Sequence, residues 1–109
     1  KDLKMVHIVA TLDEFKQALE DAGDSLVVVD FFATWCPPCK YIAPILEKIA
    51  EDNTDVHFYK VDVDANSETS AEVKIECMPT FIFFKSGTEV HRIEGADEEA
   101  IKQGVSDHK

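Results

Sequence analysis

The order of helices and strands along the sequence predicts an α/β domain, with a central mixed β-sheet flanked by helices on both faces. Hydrophobic periodicity indicates the order β-α-β-α-β-α-β-β-α over 109 residues. The run Leu26–Phe32 is almost continuously apolar, which is typical of a central strand covered on both faces. Lys85–Thr88 has the composition of a hairpin turn. The last two strands should therefore pair antiparallel, whereas crossover helices join the earlier ones.

Local signals define the first strand and the first helix. Met5–Ile8 is a short apolar run that predicts a strand. Thr11 and Glu14 have the spacing of a capping box, in which Glu14 reaches back to the cap. Apolar residues then recur at helical spacing as far as Gly23, which should end the helix.

The second helix should begin at a pair of cysteines. From Cys36, an apolar stripe at helical spacing continues to about Asp52. Pro44 lies inside this segment and should bend it, because its nitrogen cannot donate and its ring crowds the preceding turn. The remaining predicted elements are a strand at Val56–Val63, a short helix from Asn66 to Ile75, a strand at Phe81–Phe84, a strand marked by Val90 and Ile93 and ended by Gly95, and a helix at Asp97–Val105 whose last turn Gly104 weakens.

Length and charge restrict the function. The chain fits one domain over residues 1–109, in which residues 1–4 are a cloning remnant or a short N-terminal extension. It has 22 acidic and 11 basic residues, and the net charge of −11 argues against nucleic-acid or anionic-membrane partners. Since no apolar stretch could span a membrane and no leader with a cleavage site is recognised, we expect a cytoplasmic protein.

The number and spacing of the cysteines indicate redox chemistry. Three cysteines are too few, and odd in number, for a disulfide-stapled secreted fold. Cys36 and Cys39 share one helix face, close enough to bond, and the helix start favours a thiolate. The alternatives are two inert buried thiols and a zinc site completed by Cys77 and a histidine such as His57. A closed site needs four ligands, however, and no second paired-ligand motif occurs.

The sequence around the cysteine pair resembles the thioredoxin family from about residue 6 to residue 105. The matching residues are Trp35-Cys36-Pro37-Pro38-Cys39-Lys40, Asp30, Pro44 and Met78-Pro79-Thr80. The resemblance implies the thioredoxin fold and a protein-disulfide reductase acting in electron transport and cell redox homeostasis. It also implies recycling by an NADPH-dependent thioredoxin reductase. With no nucleotide-binding motif, the chain itself should bind no flavin or nicotinamide cofactor. With no second paired-ligand motif, no bound metal is expected either.

The resemblance assigns roles to the two cysteines. Cys36 would attack a substrate disulfide, and Cys39 would then attack Cys36, releasing reduced substrate. The N-terminal cysteine should be the more exposed of the two and nearer the unpaired N–H groups, which supports this assignment.

Two charged residues are candidates for proton transfer. Asp30 lies in an apolar strand, and burial of its carboxylate would raise its pKa and let it take the Cys39 proton through water. The resemblance supports this role and matches Lys60 to the family's lysine near that acid. The alternatives are a strand-end aspartate that reaches water and an ordinary solvated lysine.

Four other residues should form the substrate-binding surface. Trp35 stands beside the dithiol and should shield it, although a core aromatic is the alternative. The resemblance implies a cis Met78–Pro79 bond packed against the dithiol, beside which the substrate main chain binds in extended form. Gly95 belongs to the same expected surface.

The two prolines between the cysteines are a departure from the family. Pro37 stands where the family usually has glycine, so a donor to the Cys36 sulfur is lost and the loop is stiffened. Pro38 restricts Pro37 further. We expect an altered redox potential or partner choice. Two-proline motifs also resemble tryparedoxins and nucleoredoxins, which are typically longer or multidomain.

Cys77 is a candidate for regulation. It is either a small buried residue or a surface thiol beside the active site, open to oxidation, modification or pairing with another chain's Cys77. The protein would otherwise be a monomer. The histidines, which have no spacing that indicates a site and are expected at the surface, are His7, His57, His91 and His108.

Two further functions stay open at this point. One is a redox-gated binding module that holds a partner without turnover. The other is a thiol oxidase or isomerase, which an oxidising potential of the cysteine pair would favour.

Overall fold

The predicted order of secondary-structure elements is confirmed in the computed structural model, which describes residues 4–109. Residues 1–3, most of the expected N-terminal remnant, lie outside the described range. The elements are β1 (Val6–Ile8), α1 (Leu12–Ala22), β2 (Val27–Phe32), α2 (Pro37–Glu51), β3 (His57–Asp62), α3 (Ser67–Glu72), β4 (Thr80–Lys85), β5 (Thr88–Glu94) and α4 (Glu98–His108).

β2 lies at the centre of the sheet, whose strand order in the described chain is β1-β3-β2-β4-β5. β1, β3 and β2 run parallel, whereas β4 is antiparallel to both β2 and β5. Parallel neighbours need crossover connections, here helices, and antiparallel neighbours can be joined by a turn. The pairing of β2 with β3 places Asp30 directly opposite Lys60. The fold thus brings together two residues that are far apart in sequence.

The two edges of the sheet differ from its interior. β1 has only three residues, and β5 contains several charged side chains, namely Glu89, Arg92 and Glu94. The register between β4 and β5 shifts between Phe83 and Phe84, as at a β-bulge. Neither edge is therefore a long, regular apolar strand.

Apolar side chains cover both faces of the sheet, as predicted. α2 and α4 pack on one face, where Ile42 and Ile101 join Val28 and Phe83 in one cluster. α1 and α3 cover the other face, where Phe15 makes edge contacts with Phe31 and Phe84. Neighbouring β2 residues alternate between the two clusters because side chains alternate along a strand. Burying each such side chain contributes about 1.5–3 kcal/mol.

The start of α1 follows the predicted capping pattern with one difference. The Thr11 hydroxyl accepts from the Glu14 N–H at 3.1 Å. The Glu14 carboxylate accepts from the N–H of Ala10 at 2.9 Å, one residue before the cap. Both interactions satisfy N–H groups that have no partner inside the helix.

Helix lengths depart slightly from the sequence prediction. α3 ends at Glu72 rather than Ile75, because Lys74 has a positive φ of 59°. α2 has 15 residues and continues through Pro44. Among residues 4–109, none of the helices is long and apolar enough to cross a membrane.

Gly104 is a close-packing position, so its interpretation as a weak point of α4 was incomplete. A Cβ at this residue would lie 2.8 Å from Phe83 Cζ and 3.2 Å from His91 Cδ2. Glycine is therefore needed where α4 approaches the sheet. The helix continues to His108, past its predicted end, and the Lys85 ammonium donates to the His108 carbonyl oxygen at 3.0 Å.

The surface prediction for the histidines is wrong for His91 and His108. Both are half-buried, and their rings stack with centroids 4.9 Å apart. Each ring also contacts Phe83. The pairing of β5 with β4 brings His91 to the end of α4, and no spacing along the sequence shows that. His7 and His57 are exposed, as expected.

Candidate active site

Cys36 is the N-cap of α2, directly after the short connection from β2. It has extended backbone angles, and its sulfur accepts from the Cys39 N–H at 3.2 Å. Pro37 and Pro38 take the first two helical positions, where an N–H would have no partner within the helix. The double proline therefore fits the helix start without loss of an intrahelical hydrogen bond.

Cys36 and Cys39 are joined by a disulfide, with their Cα atoms 5.2 Å apart. The expected difference in exposure between them is wrong, because each is only 4% exposed. Ala33 and the half-buried Met78 pack against the pair. Since exposure is equal, the distinction between the two sulfurs lies in the position of Cys36 at the helix cap.

The loop before β4 covers the cysteine pair from the side. The Met78–Pro79 peptide bond is cis, as expected, and the Met78 carbonyl oxygen lies 3.7 Å from the Cys36 sulfur. The Pro79 carbonyl oxygen accepts from the Gly95 N–H at 2.9 Å. Gly95 has a φ of 110°, which favours glycine. The fold thus brings Met78, Pro79 and Gly95 to the same end of the molecule as the dithiol.

Asp30 is buried in β2, which rules out the alternative of a strand-end carboxylate in water. It is 3% exposed, and its Oδ1 has no hydrogen-bond partner among the described residues. Desolvation raises the pKa of Asp30 from 3.8 to about 7, although the positive charge of Lys60 acts in the opposite direction. The expected burial and raised pKa are therefore confirmed.

A cavity connects the buried acid to the cysteine pair. It has a volume of about 270 Å³, and its lining includes Asp30, Cys39 and Lys60. Its size suits water, and Asp30 and Lys60 provide polar partners in a lining that is otherwise mainly apolar. Lys60 is half-buried, with its ammonium 6.0 Å from the centre of the Phe32 ring, so it is not a simple solvated lysine. The arrangement allows a proton to move between Cys39 and Asp30 through water.

Trp35 stands beside the dithiol at the surface, so the alternative of a core aromatic is wrong. It is 63% exposed, and its indole N–H donates to the Asp64 carboxylate at 2.9 Å. Sequence reasoning missed Asp64, because it lies after β3, 29 residues from Trp35. No local pattern links the two residues.

Cys77 is an exposed free thiol, which excludes its interpretation as a buried residue. It immediately precedes Met78, and its sulfur lies 3.8 Å from the Thr80 hydroxyl. Within residues 4–109, no group of three or more His, Cys, Asp or Glu side chains could hold a metal ion.

Comparison with known proteins gives matches over nearly the whole chain. Residues 6–107 match the family model described as thioredoxin. The chain is 49% identical to a thioredoxin of Ictalurus punctatus over 107 residues, covering 96% of this chain and 100% of that one. It is 51% identical to thioredoxin-2 of Saccharomyces cerevisiae over 102 residues, covering 94% and 97%. The thioredoxin structure of Fasciola hepatica matches with a TM-score of 0.94 and 41% identity, covering 95% and 100%.

Proposed function

The chain belongs to the thioredoxin family and is a protein-disulfide reductase, and we propose that Cys36 and Cys39 carry out its chemistry. The Cys36 thiolate attacks a substrate disulfide, forms a mixed disulfide and releases one substrate sulfur as a thiolate. Cys39 then attacks the Cys36 sulfur and releases the second. Two electrons pass to the substrate, and the enzyme ends as the Cys36–Cys39 disulfide. The observation that most supports this proposal is the bonded pair at the first turn of α2.

The helix start supports Cys36 as the nucleophile. The N–H of Cys39 points to the Cys36 sulfur at 3.2 Å and would stabilise a negative charge there. The positive end of the α2 dipole acts in the same direction. Cys39 lies within the first turn and is placed to attack Cys36 once the mixed disulfide has formed.

Asp30 is the proposed proton acceptor for Cys39. A carboxyl group with a pKa of about 7 can take up and return a proton near neutral pH. The cavity shared with Cys39 provides room for a bridging water molecule. Lys60, opposite Asp30 in the sheet, is a positioning residue that limits the rise of its pKa.

Substrate polypeptides should bind beside the dithiol on the surface formed by Trp35, Met78, Pro79 and Gly95. The loop that carries Pro79 has main-chain groups near Cys36, which supports binding of an extended segment. Pro37 and Pro38 are exposed and rigid, so they should affect the redox potential or the choice of partner. The nearly full-length thioredoxin relatives favour this function over a tryparedoxin-like or nucleoredoxin-like one.

NADPH, through thioredoxin reductase, is the proposed source of electrons. Family members need no bound cofactor, and the Cys36–Cys39 disulfide must be reduced before each turnover. The resulting electron transport to protein disulfides would maintain cell redox homeostasis. We place the protein in the cytoplasm, because an exposed free thiol at Cys77 suits a reducing compartment. We also propose that it is a monomer. Cell fractionation and sedimentation test the last two points.

Insulin reduction tests the function directly. With thioredoxin reductase and NADPH present, the protein should reduce insulin disulfides catalytically, consuming NADPH as the insulin chains precipitate. The reaction without this protein is the control for direct reduction of insulin by the reductase. NADPH consumption equal to that control would refute the proposal. Reduction with dithiothreitol in place of reductase separates failure of recycling from failure of the chain itself.

Cys77 is proposed as a regulatory thiol. It is exposed and adjoins the Met78–Pro79 loop, so a bond there would obstruct the substrate surface. Peroxide should oxidise two Cys77 thiols to an intermolecular disulfide, with two water molecules formed. Non-reducing electrophoresis should show a dimer band for the wild type that is absent for Cys77→Ser. An unchanged dimer band in the variant would show that another cysteine forms the link.

A further inference from the structure

The outer face of the first three turns of α2 has an unusual charge for this chain. Every exposed side chain between positions 37 and 48 is apolar or basic, although the whole chain has 22 acidic and 11 basic residues, and the exposed acidic residues Glu51 and Asp52 follow only at the C-terminal end of the helix. Glu47 is half-buried, and its carboxylate oxygens accept from the N–H groups of Met5 and Val6 at 2.8 and 3.2 Å. The acidic group of this segment is therefore turned toward β1 and away from the outer face.

Four of these exposed residues form one line along the helix. Pro37, Tyr41, Pro44 and Lys48 are spaced i, i+4, i+7 and i+11, which places them on the same face. We call these four residues the α2 stripe. At 1.5 Å per residue the stripe is about 16 Å long. It begins at the residue after Cys36, so it starts at the same end of α2 as the reacting sulfur.

Tyr41 is the large side chain of the stripe. It is 60% exposed, and it makes no hydrogen bond, ion pair or ring contact with the rest of the described chain. Pro37 and Pro44, one turn away on either side, have rigid rings that lose little freedom when covered. An exposed tyrosine between prolines is the kind of side chain that contributes strongly to binding when a partner buries it.

Two lysines should make the same surface prefer acidic partner segments. Lys40 is exposed beside the stripe, and Lys48 is at its far end. Lys48 approaches Asp52 at 3.7 Å, but both side chains are largely exposed, so this ion pair is weak. The net charge of −11 repels an acidic partner segment from most of the protein surface. Lys40 and Lys48 would attract such a segment to the α2 stripe.

We propose that the α2 stripe is a docking surface for protein substrates that carry apolar and acidic residues next to their disulfide. The inference rests on the proposed function, because a substrate sulfur must come within bonding distance of Cys36 and its chain must then cover neighbouring surface. A segment of about five extended residues spans the stripe. The apolar residues cover Tyr41 and the prolines, and a carboxylate reaches Lys48. The stripe thereby determines which disulfides are reduced fastest.

Disulfide peptides with different tails test the docking surface. All share one disulfide loop, and their tails contain leucine with glutamate, leucine with lysine, or only serine and glycine. The readout is the kcat/KM ratio of the acidic to the basic peptide. It should exceed one for the wild type and decline in high salt. Lys48→Glu should lower this ratio about threefold. Tyr41→Ser should lower kcat/KM for both leucine peptides about fivefold relative to the serine–glycine peptide.

Lys16→Glu is the matched control. Lys16 is exposed on α1, on the opposite face of the sheet, and the substitution makes the same change in net charge as Lys48→Glu. The ratio should stay at the wild-type value. Equal effects of the two substitutions, or equal reduction of all peptides by the wild type, would overturn the docking surface while leaving the reductase function intact. Absence of reduction of every peptide would refute both.

Discussion

Cys39→Ser will convert the protein from a catalyst into a trap for its substrates. Cys36 can still attack a substrate disulfide, but without the second thiol the mixed disulfide has no intramolecular route to resolution. Turnover with insulin should fall to the uncatalysed rate, and a covalent adduct should accumulate with the mass of this chain plus the substrate. Mass spectrometry after digestion should locate the bond at Cys36.

The matched serine variants identify which sulfur attacks. Cys36→Ser should lose turnover to the same extent but form no adduct. Cys77→Ser, the same chemical change at the third cysteine, should retain catalysis because Cys77 is not part of the dithiol. Adducts formed through Cys39 in the Cys36→Ser variant, as readily as through Cys36 in Cys39→Ser, would contradict the assignment of the nucleophile.

Asp30→Asn will stabilise the folded protein by about 4 kcal/mol near pH 8. Burial raises the pKa of Asp30 from 3.8 to about 7, so the unfolded chain ionises this group at lower pH than the folded chain. Below pH 3.8 both states are protonated and the penalty is absent. The wild type loses stability as the pH rises from there through about 7. Near pH 5 the advantage of the variant should therefore be about 2 kcal/mol.

Urea denaturation of both forms at the two pH values measures this difference. Asp13→Asn is the control, because Asp13 is exposed at the start of α1 and its substitution should change stability by less than about 1 kcal/mol at either pH. An advantage of Asp30→Asn that is the same at both pH values would contradict the pKa argument. Because the substitution also removes the proposed proton acceptor, greater stability should accompany slower release of substrate from the mixed disulfide.

The fold could be predicted from the sequence because its main signals are local. The apolar run of β2, the cap at Thr11 and the cysteine pair at a helix start each specify one element without reference to distant residues. The burial of Asp30 was predictable for the same reason, since five of the six β2 residues are apolar and the carboxylate lies among them.

Contacts between distant segments could not be predicted in this way. The hydrogen bond from Trp35 to Asp64 joins residues 29 positions apart, and neither has a neighbour that indicates the other. Met78, from the loop that precedes β4, packs against Cys36 and Cys39 and contributes to their burial. Gly104 illustrates the limit of propensity: a residue that weakens an isolated helix is required where that helix approaches the sheet.

The edges of the sheet have a consequence for how the protein behaves at high concentration. A strand edge with unpaired N–H and C=O groups can nucleate aggregation with other chains. Here the β1 edge is three residues long, and the β5 edge carries Glu89, Arg92 and Glu94 next to a shift in register. We therefore expect both edges to be poor templates for strand pairing with the partly unfolded substrates that reach the cysteine pair.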